Sequence, residues 1–333
     1  MKSLGFGVIG AGRIGALHAR HLAGMVDGAH LVGVMDALPE AATKAAFGGA
    51  TSTQDAGDLL SDPDIDAVLI ASPTTLHAEH IKAAAAAGKA IFCEKPVALD
   101  LGETAAAMRV VEDAGVPFQI GFNRRFDPGF AEVARAVHAG DLGRVEMVRS
   151  QSSDPVPPSP AYVRTSGGIY LDSAIHDIDT ARFIGGDIAR VTALGRVLVA
   201  PYLADFDDVD TSILTLEFAS GAIGVIQNSR RTAHGYDLRL EVHGEKGKLV
   251  SEDERATKVW RYGEDGIRGD YVYYFIERFK DAYRAEVQAF VDAVREGRPP
   301  SPGAHDATEA LRVALAARRS LHEGRPVDIE EVS

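Results

Sequence analysis

Asp172 and His176 are two side chains whose types and spacing could move a proton. They lie four residues apart in a stretch predicted to be helical over 172–185, so both would project from one face of that helix. A carboxylate beside an imidazole orients the ring and raises its pKa, which suits the ring to accept a hydroxyl proton near neutral pH. The spacing alone fits an ordinary helical pair equally well, and both interpretations stay open at this point.

A second group of charges stands in the segment KAIFCEKPVALD, where an apolar strand runs directly into Glu94, Lys95 and Pro96. Charges at the end of a buried strand are costly unless something nearby uses them. Ligands of open parallel sheets bind outside the carboxyl ends of the strands, so we expect a cofactor here. A surface ion pair between Glu94 and Lys95 is the alternative, but it does not explain Pro96 or the apolar strand that precedes the charges.

The neighbouring predicted strand ends in the segment SPTTLH, which starts at Ser72. By the same argument it faces the cofactor, and the predicted contacts from the two strand ends are Ser72, Thr74, His77, Glu94 and Lys95. For His77, a histidine that simply occupies the first turn of a helix is the alternative.

A glycine-rich turn follows the first predicted strand and matches the pattern G-x-G-x-x-G. Its glycines permit a tight turn and a close backbone approach, and the N-terminus of the next helix can receive a pyrophosphate. The predicted contacts are Gly10, Gly12, Arg13, Ile14, Gly15 and, at the end of the second strand, Asp36. Asp36 would accept hydrogen bonds from a ribose and repel a 2′-phosphate, and the following Ala-Leu-Pro offers that phosphate no cation. The turn therefore predicts NAD rather than NADP, with a purely structural βαβ turn as the alternative.

The elements that must position these groups alternate between strand and helix over residues 1–122, which predicts βαβ units around a parallel sheet. We expect an α/β Rossmann domain with a doubly wound parallel sheet, whose five strands are 5–9, 31–36, 66–72, 90–96 and 117–122. Residues 123–333 then predict an α+β domain with a large, mostly antiparallel open sheet, since their apolar and polar residues alternate. Within it, 153–168 is predicted to be a long loop, and the C-terminal helix is left free to pack on the first domain.

Composition narrows the classes of partner. The 333 residues are 46% hydrophobic and 25% charged, with a net charge of −13, which disfavours binding to nucleic acid or to an anionic membrane. No apolar run has membrane-spanning length, and the N-terminus lacks the pattern of a signal peptide. Cys93 is the single cysteine, which predicts no intrachain disulfide and no cysteine-rich metal site. We expect a cytoplasmic protein without a metal, and Cys93 as a small buried hydrophobe.

Several motifs together resemble the glucose–fructose oxidoreductase/inositol dehydrogenase family of NAD(P)-dependent enzymes. They are GVIGAGRIG, ASPTTLHAEH, FCEKP, GFNRRFDPGF and SGGIYLDSAIHDIDTARF. The resemblance covers nearly the whole chain and is greatest to inositol 2-dehydrogenases. It implies NAD-dependent oxidation of a secondary hydroxyl of a cyclic polyol, with myo-inositol converted to scyllo-inosose, in a homotetramer. A sugar dehydrogenase of the same family and a non-catalytic NAD-binding sensor are the alternatives.

The resemblance also implies roles for individual residues. Lys95, Asp172 and His176 match the family's catalytic residues, with His176 as the base, Asp172 orienting it and binding a hydroxyl, and Lys95 polarising the reacting oxygen. Polar candidates for the polyol follow the fifth strand or lie in the second domain: Asn123, Arg124, Arg125, Asp154 and Tyr236. Of these, Arg124 is assigned to the cofactor, and ordinary surface polarity is the alternative for each. The chain reads D-S-A-I-H-D where the inositol enzymes often read D-M-T-I-H-D, which leaves the polyol open.

Overall fold

The computed structural model describes residues 3–252 and 255–332. The chain forms two compact units, one of Met1–Asn123 with Asp281–Leu311 and the other of Arg124–Lys280 with Arg312–Ser333. Residues 281–311 thus join the first unit, although they were placed in the second domain on sequence. A domain boundary between residues 122 and 123 stays a prediction.

The first unit is built on a six-stranded parallel sheet in the order β3-β2-β1-β4-β5-β6. Its strands are β1 (Leu4–Ile9), β2 (Ala29–Met35), β3 (Thr51–Thr53), β4 (Ala67–Ile70), β5 (Ala90–Glu94) and β6 (Phe118–Gly121). Central strands such as β4, AVLI, are apolar throughout and fully buried, because helices cover both faces of a parallel sheet. This arrangement confirms the predicted doubly wound Rossmann domain.

Five helices connect these strands: α1 (Arg13–Leu22), α2 (Pro39–Ala45), α3 (Ala56–Ser61), α4 (Thr74–Ala86) and α5 (Leu101–Ala114). Sequence reasoning missed β3 and α3. The edge strand β3, Thr-Ser-Thr, is short and mostly exposed, so it lacks the apolar run that marks a buried strand. A capping aspartate, Asp55, which accepts a hydrogen bond from the Gly57 amide, marked the start of α3.

A helix from the C-terminal part of the chain completes the core of the first unit. Phe290 lies edge-on to Phe6 and Phe92, with ring centroids 6.1 and 5.9 Å apart, and Val287 and Val291 join the same cluster. These contacts explain why residues 281–311 belong with the first unit.

The second unit is built on a seven-stranded sheet in the order β12-β11-β7-β10-β9-β8-β15. Its strands are β7 (Val145–Ser153), β8 (Ile188–Arg196), β9 (Thr211–Phe218), β10 (Ile223–Ser229), β11 (Asp237–Gly244), β12 (Gly247–Ser251) and β15 (Val327–Asp328). Burial alternates along β9, so one face of the sheet is covered and the other exposed. Among the described strands of this sheet, β7 and β10 run parallel and the other neighbours run antiparallel. The predicted mostly antiparallel sheet is confirmed.

The remaining elements are two short strands, six helices and single turns. They are β13 (Arg261–Gly263), β14 (Gly266–Arg268), α6 (Pro128–His138), α7 (Pro160–Ser166), α8 (Ile175–Gly185), α9 (Phe275–Arg278), α10 (Lys280–Glu296), α11 (Ala304–Glu323), a π-helical turn at Tyr170–Ala174 and 3₁₀ turns at Phe47–Gly49, Asn123–Phe126, Pro201–Phe206 and Ile329–Glu331. The helix α7 lies inside the segment predicted to be a loop. Within residues 3–252 and 255–332, none of the helices combines the length and apolar character needed to cross a lipid bilayer.

Candidate active site

The glycine turn forms an open cradle at the start of α1. Gly10 has φ +96°, and a Cβ on Gly15 would lie 1.8 Å from the Gly10 carbonyl oxygen, so glycine is required at both positions. Among the described residues, a Cβ on Gly12 would meet no atom within 4 Å, and no side chain caps this end of α1. The open space and the uncapped helix N-terminus fit a pyrophosphate.

Asp36 is bound to the same turn. Its Oδ2 accepts a hydrogen bond from the Ala11 amide at 2.6 Å, and its Oδ1 accepts one from the Leu38 amide at 2.9 Å. Each carboxylate oxygen has a second lone pair that can accept from a ribose hydroxyl. The residues of this turn therefore fit an NAD molecule in both its pyrophosphate and its adenosine ribose.

His77 joins the loops that follow β4 and β5. Its ring is buried, with Nδ1 2.7 Å from the Pro96 carbonyl oxygen and Nε2 2.8 Å from the Ser72 carbonyl oxygen. Burial lowers the pKa of His77, and the two backbone contacts oppose that effect. Because both nitrogens contact the protein's own backbone, this geometry favours a role in holding the loops over direct contact with a cofactor.

The other predicted cofactor contacts of the first unit gather at the same edge of the parallel sheet. Lys95 follows β5 directly, is partly buried and precedes a cis peptide bond to Pro96. Ser72 and Thr74, after β4, are partly buried too. Asn123, after β6, is buried, and its side-chain amide makes no hydrogen bond to any described residue.

Glu94 takes part in a buried cluster that sequence reasoning missed, here called the His18 cluster: His18, Glu94 and Glu286. The His18 Nε2 atom lies 2.8 Å from the Glu94 Oε1 and 4.0 Å from the Glu286 Oε1, and the His18 and Glu286 side chains are fully buried. Burial, and then the Glu94 charge, raise the pKa of Glu286 well above its usual value. The sequence did contain a signal for this cluster, since His18 and Glu286 each interrupt the apolar face of their helix.

Asp172 stands in the second unit at the centre of what we call the carboxylate cluster: Asp154, Tyr162, Asp172 and Arg230. Asp172 Oδ1 accepts from the Tyr162 hydroxyl at 2.9 Å, and its Oδ2 accepts from Arg230 Nη2 at 3.0 Å. Arg230 Nη1 also donates to Asp154 Oδ2 at 3.2 Å. The structure therefore brings two predicted site residues together through an arginine that the sequence did not reveal.

Asp172 and His176 do not share a regular α-helix. Asp172 lies in the π-helical turn Tyr170–Ala174, and His176 follows in the first turn of α8, partly buried, with its carbonyl accepting from Thr180 Oγ1 at 2.8 Å. The predicted helix over 172–185 is continuous, but its first residues form a π-helical turn rather than a regular α-helical one. Single π-helical turns occur often at functional sites.

Arg124 and Tyr236 belong to a buried network of the second unit. Arg124 Nη1 donates to Asp177 Oδ1 at 2.5 Å, and Tyr236 is hydrogen-bonded to Arg124. Burial raises the pKa of Tyr236, while Arg124 opposes that effect. Asp177 also accepts hydrogen bonds from Ser150, Ser152 and Asn228. This network links α8 to β7 and β10 and favours a structural role for the Arg124 guanidinium.

Arg125 is engaged in a different pair. It donates to both carboxylate oxygens of Asp179, at 2.8 and 2.6 Å, and its guanidinium carbon lies 4.5 Å from the centre of the Phe183 ring. A bidentate pair of this kind holds the planar guanidinium in one orientation. The geometry therefore favours a structural role over the predicted contact with the polyol.

Comparison with known families finds two models that together cover most of the chain. Residues 4–122 match the oxidoreductase family, NAD-binding Rossmann fold, and residues 134–329 match the oxidoreductase family, C-terminal alpha/beta domain. The predicted oxidoreductase class and the predicted cofactor NAD are confirmed by these matches.

Individual relatives are similar to this chain over nearly their whole length. The chain is 43% identical over 330 residues to myo-inositol 2-dehydrogenase of Thermotoga maritima, covering 98% of each protein. It is 43% identical to inositol 2-dehydrogenase of Rhizobium meliloti, covering 97% of this chain and 98% of that protein.

Among solved structures, scyllo-inositol dehydrogenase from Lactobacillus casei with bound NAD(H) and scyllo-inositol superposes with a TM-score of 0.93 at 30% identity, covering 99% of this chain and 100% of that one. A probable dehydrogenase from Thermotoga maritima gives 0.96 at 42% identity, with coverage of 99% and 100%. The predicted resemblance is confirmed, and the chain belongs to the glucose–fructose oxidoreductase/inositol dehydrogenase family.

Proposed function

We propose that this protein is an NAD-dependent inositol 2-dehydrogenase, which oxidises a secondary hydroxyl of myo-inositol to give scyllo-inosose. The observation that carries the proposal is the carboxylate cluster, in which Asp154 and Asp172 lie on either side of one guanidinium. Carboxylates accept hydrogen bonds from hydroxyls, and a site that makes several such bonds rejects substrates that lack a partner. The glycine turn and the names of the relatives support the same conclusion.

The chain's own residues supply binding, positioning and proton transfer. NAD held by the glycine turn and Asp36 would supply the acceptor for the hydride of the carbinol carbon. His176 accepts the hydroxyl proton, and Asp172 orients that imidazole and binds a second hydroxyl. Lys95 donates a hydrogen bond to the reacting oxygen and stabilises its developing negative charge. Among the polar candidates for the polyol, Asn123, Asp154 and Tyr236 remain, because none of these side chains is enclosed in a bidentate pair.

The function is tested with a panel of inositol isomers and aldopyranoses, with NAD as oxidant and NADH formation followed by absorbance. We expect myo-inositol to give the highest kcat/KM. A higher value for an aldose would replace the proposal by a sugar dehydrogenase. The absence of turnover with every compound, while NAD still binds, would support the sensor instead.

We predict a preference for NAD over NADP of about tenfold or more in kcat/KM, since a repulsion of about 1.4 kcal/mol is sufficient for that ratio. A 2′-phosphate would lie beside the Asp36 carboxylate, and the next three residues offer no cation. The Asp36→Ala variant should lower the ratio of kcat/KM with NAD to kcat/KM with NADP. The Asp113→Ala variant, at an exposed position of α5, should leave that ratio unchanged. Equal steady-state kinetics with the two cofactors would contradict this assignment of Asp36.

We predict that the protein forms a homotetramer through the exposed face of the seven-stranded sheet. Leu194 of β8 and Ile213 of β9 are paired neighbours, and they are 58% and 44% exposed. A contiguous exposed apolar patch marks an interaction surface, and this pair would form part of one. Light scattering should give a tetramer mass for the parent and a lower mass for Ile213→Glu, while Arg109→Glu on α5 should not change the mass. A parent monomer at micromolar concentration would refute the prediction.

The proposed function also includes a cytoplasmic location, where NAD is supplied.

A further inference from the structure

Arg230 is placed by the parallel pair of strands in the second unit. Ser153 of β7 and Ser229 of β10 are register partners, so the residues that follow them, Asp154 and Arg230, leave the sheet side by side. The Asp154 amide donates to the Ser229 carbonyl at 2.9 Å, and the Arg230 amide donates to the Asp210 carbonyl at 2.7 Å. If the two strands were antiparallel, the residues that follow them would lie at opposite ends of the strands.

The guanidinium of Arg230 is enclosed. Its side chain is only 4% exposed, and it bonds one carboxylate through Nη1 and another through Nη2. These carboxylates come from different elements, Asp154 after β7 and Asp172 in the π-helical turn. The two terminal nitrogens of a guanidinium are adjacent and planar, so they hold two carboxylate groups in a fixed relation.

We propose that Arg230 is a positioning residue that holds Asp154 and Asp172 next to each other and so sets the preference for a substrate with hydroxyls on neighbouring ring carbons. The inference rests on the proposed function, since it concerns the hydroxyls of the same substrate. Each carboxylate keeps acceptor capacity beyond the bond it makes to Arg230. Two acceptors in a fixed relation select two neighbouring hydroxyls and leave an acceptor unsatisfied when one hydroxyl is missing.

The charges around Arg230 support this role. Burial disfavours the cation, yet Asp172, Asp154 and Asp208 hold its pKa above the usual value. Burial raises the pKa of Asp154, the Arg230 charge lowers it, and the Asp172 charge raises it again. Among the described residues, Tyr162, Tyr236 and Arg124 also act on the charges of the cluster. Two neighbouring carboxylates without a cation would favour uptake of a proton.

The test compares Arg230→Met, which keeps much of the volume but removes the charge, with Arg230→Lys. For Arg230→Met we expect a loss of about 10²-fold in kcat/KM, as for a misplaced catalytic group. The acidic limb of its pH profile should move to higher pH. Its preference for myo-inositol over the deoxy-inositol that lacks the hydroxyl beside the reacting carbon should fall about tenfold. Arg230→Lys should restore the pH profile in part but not the preference, because an ammonium is a point charge without the planar fork.

The neighbouring Arg231, which is exposed, supplies the matched control, and Arg231→Gln should behave as the parent in every assay. The inference is overturned if Arg230→Met stays within a few-fold of the parent. It is also overturned if activity falls while the pH profile and the preference for the vicinal hydroxyl are unchanged, because that pattern belongs to a structural residue. Thermal unfolding checks that the variants fold. If Arg230→Met does not fold, the substrate preferences of Arg230→Lys and the parent are compared instead.

A measurement without substrate separates this inference from the proposed function. Titration of ¹³C-labelled aspartate carboxyls by NMR, with Asp154 assigned through Asp154→Asn, should give a higher pKa for Asp154 in the Arg230→Met or Arg230→Lys variant than in the parent. If the parent oxidises no polyol, the proposed function fails, and this titration still decides whether Arg230 governs the carboxylate pair. An unchanged Asp154 titration would overturn the inference even in an active enzyme.

Discussion

Replacing His176 by alanine is expected to lower kcat with the best polyol by about 10²–10⁴-fold, the usual effect of losing a general base. Replacing Lys95 by alanine should cost about 10²–10³-fold, the effect of losing one electrostatic stabiliser of the developing alkoxide. Neither change should weaken NAD binding much, because the glycine turn and Asp36 are the proposed contacts of the pyrophosphate and adenosine end. Steady-state kinetics and fluorescence titration with NADH measure the two effects separately.

The double variant provides an internal check on this mechanism. Because the proposed mechanism assigns Lys95 and His176 to the same proton transfer, the two losses should combine to much less than their product. Asp172→Asn should lose substrate affinity as well as rate, since the proposed mechanism has that carboxylate both orient His176 and bind a hydroxyl. His305→Ala, at an exposed position of α11, and Lys82→Ala on α4 are matched controls that should retain the parental rate. If His176→Ala or Lys95→Ala kept kcat within a few-fold of the parent, the sensor interpretation would become the stronger one.

The Glu286→Gln variant is expected to be more stable than the parent at neutral and alkaline pH. Burial raises the pKa of Glu286 well above its usual value, so the folded protein retains a proton that the unfolded chain releases. Above the usual pKa of glutamate, stability therefore falls as pH rises, by about 1.4 kcal/mol for each pH unit, until the raised pKa is reached. Glutamine has the shape of the protonated acid but does not titrate, so its variant escapes this loss.

Urea denaturation of both proteins between about pH 5 and pH 8 measures the difference. The two free energies of unfolding should lie closest at the acidic end, which is nearest the usual pKa of glutamate of about 4.3, and separate as pH rises. Glu79→Gln, an exposed substitution on α4, should follow the parent throughout. Parallel curves for Glu286→Gln and the parent would mean that the buried carboxyl is already ionised in the folded protein.

The parallel-sheet domain was predictable because its signals are local. A buried strand such as β4 reads as an apolar run, and the glycine turn with Asp36 is a motif of residues close in sequence. The helix α7 carried signals that were overlooked. Ser159 accepts a hydrogen bond from the Tyr162 amide as its N-cap, Pro160 occupies the first turn, and Gly167 ends it with φ +82°.

The carboxylate cluster was only half predictable, for a physical reason. Asp154 and Asp172 stood out as polar residues near recognisable motifs, but Arg230 contacts them only because β7 and β10 pair in parallel. Pairing between strands distant in sequence depends on the whole sheet, and nothing near residue 230 marks it. Arg125 shows the converse, since its place in a recognisable motif suggested a substrate contact, whereas the fold supplies Asp179 as its partner.

The π-helical turn at Tyr170–Ala174 makes the site depend on chain length as well as on residue type. Such a turn accommodates one residue more than an α-helical turn does. Deleting Ser173 or Ala174 would allow a regular α-helix through this segment and would rotate the preceding residues by about 100° around its axis. Asp172 would then turn away from Arg230 while His176 kept its place in α8. Loss of a single codon would therefore separate the proposed base from its proposed carboxylate without replacing either residue.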